Sequence, residues 1–217
     1  IDEKGRAFYS LNFHDKPVIL NSGLGFMLKD NVEWMKIDTL DMMDNFKILN
    51  VTFDSVDEYW NPVWGEESEI RNNYNEMFVE LQQLESERKV NIRFRLFDDS
   101  LGFRYEFPLQ EKLGSFIIID EKTEFAMAGD HTAMWIPGDY DTQEYNYTTS
   151  KLSEIEQKSI EFKEENVSMY RFSNWAVQTA LMMKSQNGLY INIHEAALIE
   201  YSAMHLEFNP VNMTFES

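Results

Sequence analysis

The segment Val90-Asn-Ile-Arg-Phe-Arg-Leu-Phe-Asp-Asp-Ser-Leu-Gly-Phe-Arg-Tyr-Glu-Phe-Pro108 decides the fold class. Val90, Ile92, Phe94 and Leu96 alternate with Asn91, Arg93 and Arg95, the period of a strand with one face buried. Asp98-Asp99-Ser100 breaks the pattern with short polar side chains that bond nearby backbone and favour a turn. Phe103, Tyr105 and Phe107 then alternate with Arg104 and Glu106. Two such runs around a turn make a β-hairpin with one apolar face, so the chain is expected to be built of antiparallel sheet.

Outward from the hairpin the same signals recur. Phe8–Phe13 and Val18–Leu20 read as short strands around His14-Asp15-Lys16-Pro17. Phe26-Met27-Leu28 and Phe46–Phe53 are further strands, and Asn73–Leu84 is extended with Met77, Val79 and Leu81 facing one way. Phe116–Ile119, Thr123–Met127, Ala176–Met183, Leu189–Ile193 and Ala203–Phe208 follow. Asp57–Glu67 mixes Tyr59, Trp60 and Trp64 with proline and glycine, without periodicity, and reads as an ordered aromatic loop. Lys151–Glu165 has dense charge and a thin apolar stripe of Leu152, Ile155, Ile160 and Phe162, which suits a solvated loop or a short surface helix. Many strand candidates without regular strand–helix alternation argue for an all-β antiparallel sandwich of little helix.

Composition narrows the partners. In 217 residues, 38 Asp and Glu oppose 19 Lys and Arg for a net charge of -19, so phosphate backbones and anionic membranes repel the chain. Hydrophobic residues at 43% of the chain, with aromatics at 14% of the chain, suffice for one large core. Cysteine is absent, which removes disulfides, thiolate metal sites and thiol nucleophiles. No apolar run is long enough for a membrane-spanning helix. Ile1-Asp-Glu-Lys-Gly-Arg6 does not have the form of a signal peptide.

The sequence holds no G-x-S-x-G elbow, P-loop or dinucleotide fingerprint. His194-Glu195 begins like H-E-x-x-H, but Leu198 stands where the second histidine belongs. Trp60 and Trp64 have two readings: indoles that stack on sugar faces, or side chains that pack the end of the fold. Arg93, Arg95 and Arg104 read as cross-strand partners of Glu106 or Asp98 rather than as an anion site. Glu195 arrives where the strand pattern of Tyr190–Ile193 breaks, a position that suits a metal ligand, a domain contact or an ordinary solvated carboxylate.

Five segments in order resemble the N-terminal domain of glycoside hydrolase family 97: Asn21-Ser-Gly-Leu-Gly-Phe26, Trp60-Asn-Pro-Val-Trp-Gly-Glu66, Ile70-Arg-Asn-Asn-Tyr-Asn-Glu76, Arg93–Glu106 and His194-Glu-Ala-Ala-Leu198. The resemblance covers nearly the whole chain. It implies a β-super-sandwich of the galactose-mutarotase type, with residues 1–217 forming a single N-terminal domain. It further implies a periplasmic, calcium-dependent exo-acting α-glycosidase, an α-glucosidase or α-galactosidase, as the parent protein. In that family the catalytic residues lie in a (β/α)8 barrel that has no counterpart here, so this chain is expected to be inactive alone. Glu195 matches the family's calcium-ligand glutamate. The partners implied are the barrel of the same polypeptide and an α-linked oligosaccharide.

Two rival readings remain. A free-standing carbohydrate-binding module would use Trp60 and Trp64 as its platform. An aldose epimerase would need an acid and a base across one sugar ring, and His14, His131, His194 and His205 show no clustering in sequence.

Overall fold

The computed structural model describes residues 1–30, 39–161 and 170–217. Its strands are, in chain order, β1 (Ala7–Phe13), β2 (Lys16–Leu24), β3 (Phe26–Asp30), β4 (Thr39–Met42), β5 (Phe46–Trp60) and β6 (Ile70–Gln83). Then come β7 (Lys89–Leu96), β8 (Leu101–Glu106), β9 (Phe116–Glu121), β10 (Glu124–Ala126), β11 (Thr132–Trp135) and β12 (Thr148–Lys151). A 3-10 turn at Leu152–Glu154 runs into α1 (Ile155–Glu161), and β13 (Ala176–Gln178), β14 (Leu181–Lys184), β15 (Tyr190–Ile193), β16 (His205–Asn209) and β17 (Thr214–Glu216) complete the chain.

The chain divides into two compact units. Unit 1 holds Ile1–Ala7 and Gly25–Asp120, and unit 2 holds Phe8–Leu24 and Glu121–Ser217. In unit 1 the sheets are β4-β3-β9 and β5-β6-β7-β8. In unit 2 they are β1-β2, β10-β17-β16-β13 and β12-β11-β14-β15.

This pairing corrects the expected β-super-sandwich. The described strands are antiparallel and helix is nearly absent, but no two broad sheets form. The described strands form instead three four-stranded sheets, one three-stranded sheet and one two-stranded sheet, divided between the two units. A strand count does not name partners. Here the partners come from long-range pairing, as between β10 and β17 or β13 and β16, which alternation within a segment does not encode.

The Val90–Pro108 hairpin is β7 and β8, paired from Asn91↔Glu106 to Leu96↔Leu101. Its apolar positions continue across β6, where Val79 faces Ile92 and Met77 faces Phe94. One face is thus apolar over several strands, and Phe26 of β3 packs edge-on against Tyr105 with ring centroids 4.3 Å apart. Leu28, Met42, Leu81, Val90 and Ile92 are buried in the same unit. The opposite face carries the arginines. Arg93 bonds Glu106 at 2.7 Å and also Glu76, Arg95 bonds Glu76 at 2.9 Å, and Arg104 bonds Glu106 at 2.7 Å. Asp98 is not among these partners, and Glu76, on the preceding strand β6, is the one that alternation did not reveal. The Arg93 hydrogen bond, with Arg104 adding to it, holds the Glu106 carboxyl below its usual range.

β5 and β6 pair from Phe46↔Gln83 to Trp60↔Ile70, whereas β7 stops pairing with β6 at Asn75↔Leu96. The pairs from Val56↔Tyr74 to Trp60↔Ile70 therefore form a two-stranded ribbon beyond the four-stranded sheet, roughly 17 Å long at ~3.4 Å per residue. Ladders of side chains stiffen it: Arg71 bonds Asp57 through both Nε and Nη2 at 2.7 Å, and Asn72 bonds Glu58 at 2.8 Å. The expected aromatic loop thus begins as strand, with Asp57–Trp60 in β5.

In unit 2 the expected single strand Ala176–Met183 is two strands in different sheets, β13 and β14. The core is lined by Trp135, Leu181, Met183, Leu206, Phe208 and Phe215, all fully buried or nearly so. The Trp135 indole N–H, which needs a partner when buried, donates to Ser150 Oγ at 3.0 Å. Leu152 and Ile155 anchor α1 to the core while Ile160 is exposed. Phe162 to Glu165 and Trp34 lie outside the described residues.

Two measurements check this architecture. Phe208 is 1% exposed, and Phe208→Ala is expected to cost about 3–5 kcal/mol in urea unfolding. His131 is buried, and among the described residues neither ring nitrogen has a hydrogen-bond partner. Burial, aided by Lys151 and opposed by Asp130, holds its pKa below the usual imidazole value. The unfolded chain therefore binds the proton first, so the stability of neutral His131 is present above about pH 6.5 and lost as pH falls. The thermal midpoint should fall more between about pH 7.5 and pH 5.5 in the native chain than in His131→Leu; equal slopes would refute the assignment.

Candidate functional site

Glu195 follows β15, whose alternation buries Ile191 and Ile193 and exposes Tyr190 and Asn192. The same parity carries past the strand end: His194 is exposed and Glu195 half-buried. Its Oε2 accepts the Met204 backbone N–H at 2.9 Å. The Thr179 hydroxyl lies 3.5 Å from that oxygen and 3.2 Å from the Met204 carbonyl oxygen. A hydroxyl has one proton to give, and the shorter contact takes it. Among the described residues Oε1 accepts no hydrogen bond.

The position has a structural logic. Thr179 lies on the connection from β13 to β14, and Met204 directly precedes β16. Glu195 therefore bonds at a place where the chain passes between the two four-stranded sheets of unit 2. The segment after it is pinned again by Tyr201, whose hydroxyl donates to Glu121 Oε2 at 2.6 Å. Burial, that hydrogen bond and the charges of Glu121 and Glu195 raise the Tyr201 phenol above its ordinary pKa. Between the two anchors Leu198 and Ile199 are exposed, Ile199 at 76%.

Beside this carboxylate stands a cluster that sequence patterning did not find. Asp139 is buried and unpaired with any cation among the described residues, yet both oxygens are satisfied. Oδ1 accepts the N–H groups of Asp141 at 2.8 Å and Thr142 at 3.3 Å; Oδ2 accepts the Tyr145 hydroxyl and the Tyr170 N–H, each at 2.6 Å. Burial pushes its pKa up, but the Tyr145 hydroxyl and the three backbone donors outweigh it and hold the carboxyl below the usual range. The Asp139 carbonyl faces His205 Nε2 at 3.0 Å. Tyr140, Phe172 and His205 then meet as rings, with centroids 5.1 Å apart for Tyr140–Phe172 and 5.8 Å for Phe172–His205. The Asp139-x-Asp141 spacing is a turn signature, but nothing local announces Tyr170 or His205.

The other candidates lie elsewhere. Trp60 closes the ribbon and Trp64 sits in the following turn, 49% and 88% exposed; Asn61 Nδ2 braces the turn on the Ser68 carbonyl at 2.8 Å. Both indoles are exposed, not packed into the end of unit 1. The four histidines occupy separate settings: His14 in a turn, His131 in the interior, His194 exposed at a strand end and His205 on β16. Among the described residues no three His, Asp or Glu side chains are grouped to hold a metal.

Comparisons with known proteins agree on one family. The profile of the glycosyl-hydrolase 97 N-terminal family matches residues 1–216. A Glycoside Hydrolase Family 97 enzyme of a Pseudoalteromonas species, solved in complex with acarbose, superposes with a TM-score of 0.81 at 32% identity, over 99% of this chain and 29% of that one. A Family 97 enzyme of the same source in complex with panose gives 0.80 at 32% identity, over 99% of this chain and 29% of that one. A retaining alpha-galactosidase of Bacteroides thetaiotaomicron is 22% identical over 213 residues, 93% of this chain and 27% of that protein. This chain thus spans less than a third of the length of each of these relatives. A beta-arabinopyranosidase at 18% identity, over 99% of this chain and 32% of its own, shares the fold with a TM-score of 0.76. The chain belongs to the glycosyl-hydrolase 97 N-terminal family.

Proposed function

We propose that this chain is the non-catalytic N-terminal domain, residues 1–217, of a calcium-dependent family 97 α-glycosidase that hydrolyses α-linked oligosaccharides from their ends. It docks on the catalytic (β/α)8 barrel of the same polypeptide, helps to shape the sugar pocket and lends Glu195 to the calcium site. The observation that carries this reading is the state of Glu195. One carboxylate oxygen is fixed by the Met204 N–H, and the other is uncommitted on a half-buried side chain beside the exposed Leu198 and Ile199. A carboxylate with one oxygen fixed and the other uncommitted suits a hard cation, which prefers oxygen donors. The aliphatic pair suits an interdomain contact.

The donor set fits a shared site. Calcium takes roughly six to eight oxygens, and Glu195 provides one or two of them, so the barrel supplies the remainder. When bound there the metal polarises and orients groups around the scissile sugar. This chain's part is to fix the direction of one negative charge. Among the described residues no helix is long and apolar enough to cross a membrane, and we take the periplasm as the compartment from the family alone.

Calcium titration calorimetry tests the assignment. In the polypeptide that includes the barrel, Glu195→Gln should weaken calcium binding by about tenfold or more, as loss of ~1.4 kcal/mol or more implies. The 217-residue chain alone should bind calcium negligibly. A tight site on the isolated chain, or an unchanged affinity in Glu195→Gln, would sink it.

The exposure of Trp60 and Trp64 favours a second reading, in which the ribbon tip is a carbohydrate-binding platform and the chain acts as a sugar-binding module. Added α-glucan should then quench tryptophan fluorescence, and Trp60→Ala with Trp64→Ala should abolish the change. Quenching that survives the double replacement, and so arises from Trp34, Trp135 or Trp175, would dismiss it.

A further inference from the structure

We propose that Tyr140, Phe172 and His205 form a preorganised surface on which a pyranose ring of an α-glycoside stacks, immediately beside Glu195. The inference rests on the reading of Glu195 as part of the sugar pocket and assigns this domain its own contacts with substrate.

Three observations carry it. First, the rings are displayed rather than packed away: Tyr140 is 66% and Phe172 40% exposed. Large aromatic side chains ordinarily bury their area, and a cluster of them in solvent marks a binding surface. Second, the cluster is held more firmly than solvation requires. The buried Asp139 carboxylate collects four donors to fix the turn that carries Tyr140 and the segment that carries Phe172. Gly138 is part of the same fixation, because a Cβ there would lie 2.6 Å from the Ala176 Cβ and 3.1 Å from Phe172 Cε1. Phe172 can approach the backbone only because residue 138 has no side chain. Third, the polar groups around the rings suit hydroxyls. His205 Nε2–H donates to the Asp139 carbonyl oxygen, which leaves Nδ1 for a sugar hydroxyl, a group that both donates and accepts. Glu195 adds its uncommitted Oε1.

The strand register places these groups together. Gln178 of β13 is the cross-strand partner of His205. The next residue on one strand is Thr179 and the previous residue on the other is Met204, the two that contact Glu195. Aromatic faces rimmed by acceptors are the chemistry of a sugar site. The neighbouring Leu198 and Ile199 lack both features and are the surface suited to protein docking.

The test is an aromatic-resonance NMR titration of the 217-residue chain with panose and with maltotriose. Saturable shifts are expected at Tyr140, Phe172 and His205. Tyr140→Ala, with its exposed side chain and an unchanged melting temperature, should weaken them roughly tenfold; Phe172→Leu should do the same if Tyr140→Ala alters folding. Trp64→Ala should leave them intact. Silence at the three rings, or titration unchanged in Tyr140→Ala, overturns the proposal. So do shifts that follow protein concentration instead of sugar, which would make the cluster a self-association face. The calcium experiment stands apart. If Glu195→Gln loses calcium while the rings stay silent, only this inference falls; if the rings respond and Glu195→Gln has no effect, the calcium assignment falls and the sugar surface stands.

Discussion

A carboxylate taken out of water must be met by donors or it will not stay charged. Asp139 is met by three backbone N–H groups and one phenol, drawn from residues 141, 142, 145 and 170. Those donors belong to two segments that have almost no regular structure of their own. Without the carboxylate, each N–H would need another partner in a buried place, and unmet groups there cost on the order of 1–3 kcal/mol each. The irregular part of unit 2 is therefore ordered from within, by one charge. Gln178 extends the same order: its side-chain amide donates to the Pro137 and Thr142 carbonyls at 2.9 and 2.8 Å. The strand that carries Gln178 also leads to Thr179 and so to Glu195.

How much of this could be read from the chain depends on the range of the interaction. The β7–β8 hairpin was legible because its signal is local: alternation, a three-residue polar turn, alternation again. Its Glu106–Arg93 pairing was legible for the same reason. Glu76 was not, since it reaches Arg93 and Arg95 only through the β6–β7 register. The sheet grouping failed at a similar point. Ala176–Met183 has the composition of one strand, yet its two halves serve different sheets, and the division lies at Thr179, where the chain changes partners. The sandwich was expected from the number of strand candidates and the super-sandwich from likeness to a family, and neither specifies which strands pair. Glu195 could be singled out only through that likeness, because the segment Gly188–Tyr201 by itself left an ordinary surface glutamate as the simpler reading.

The acidity of the chain bears on the same site. A net charge of -19 makes any further anion costly to gather, and most of the 38 carboxylates are surface groups whose energies are small and screened by salt. Glu195 differs in being fixed by backbone rather than by a cation. The Arg-rich face of unit 1 shows the contrasting use, in which Glu76 and Glu106 are each held by two of the three guanidinium groups of Arg93, Arg95 and Arg104.

A metal site divided between two domains has a consequence for their association. If Glu195 supplies part of the coordination and the barrel supplies the rest, calcium binds the docked arrangement better than the separated one. Linkage then requires that docking raise calcium affinity by the same factor by which calcium tightens docking. The orientation of the carboxylate sets the size of that factor, because an oxygen held in place loses little freedom on meeting the ion, whereas a freely rotating side chain would lose more. The Met204 N–H is thus more than a satisfied donor. It holds Oε2, and in the proposed shared site that restraint would make docking and calcium binding depend on one side chain of this domain.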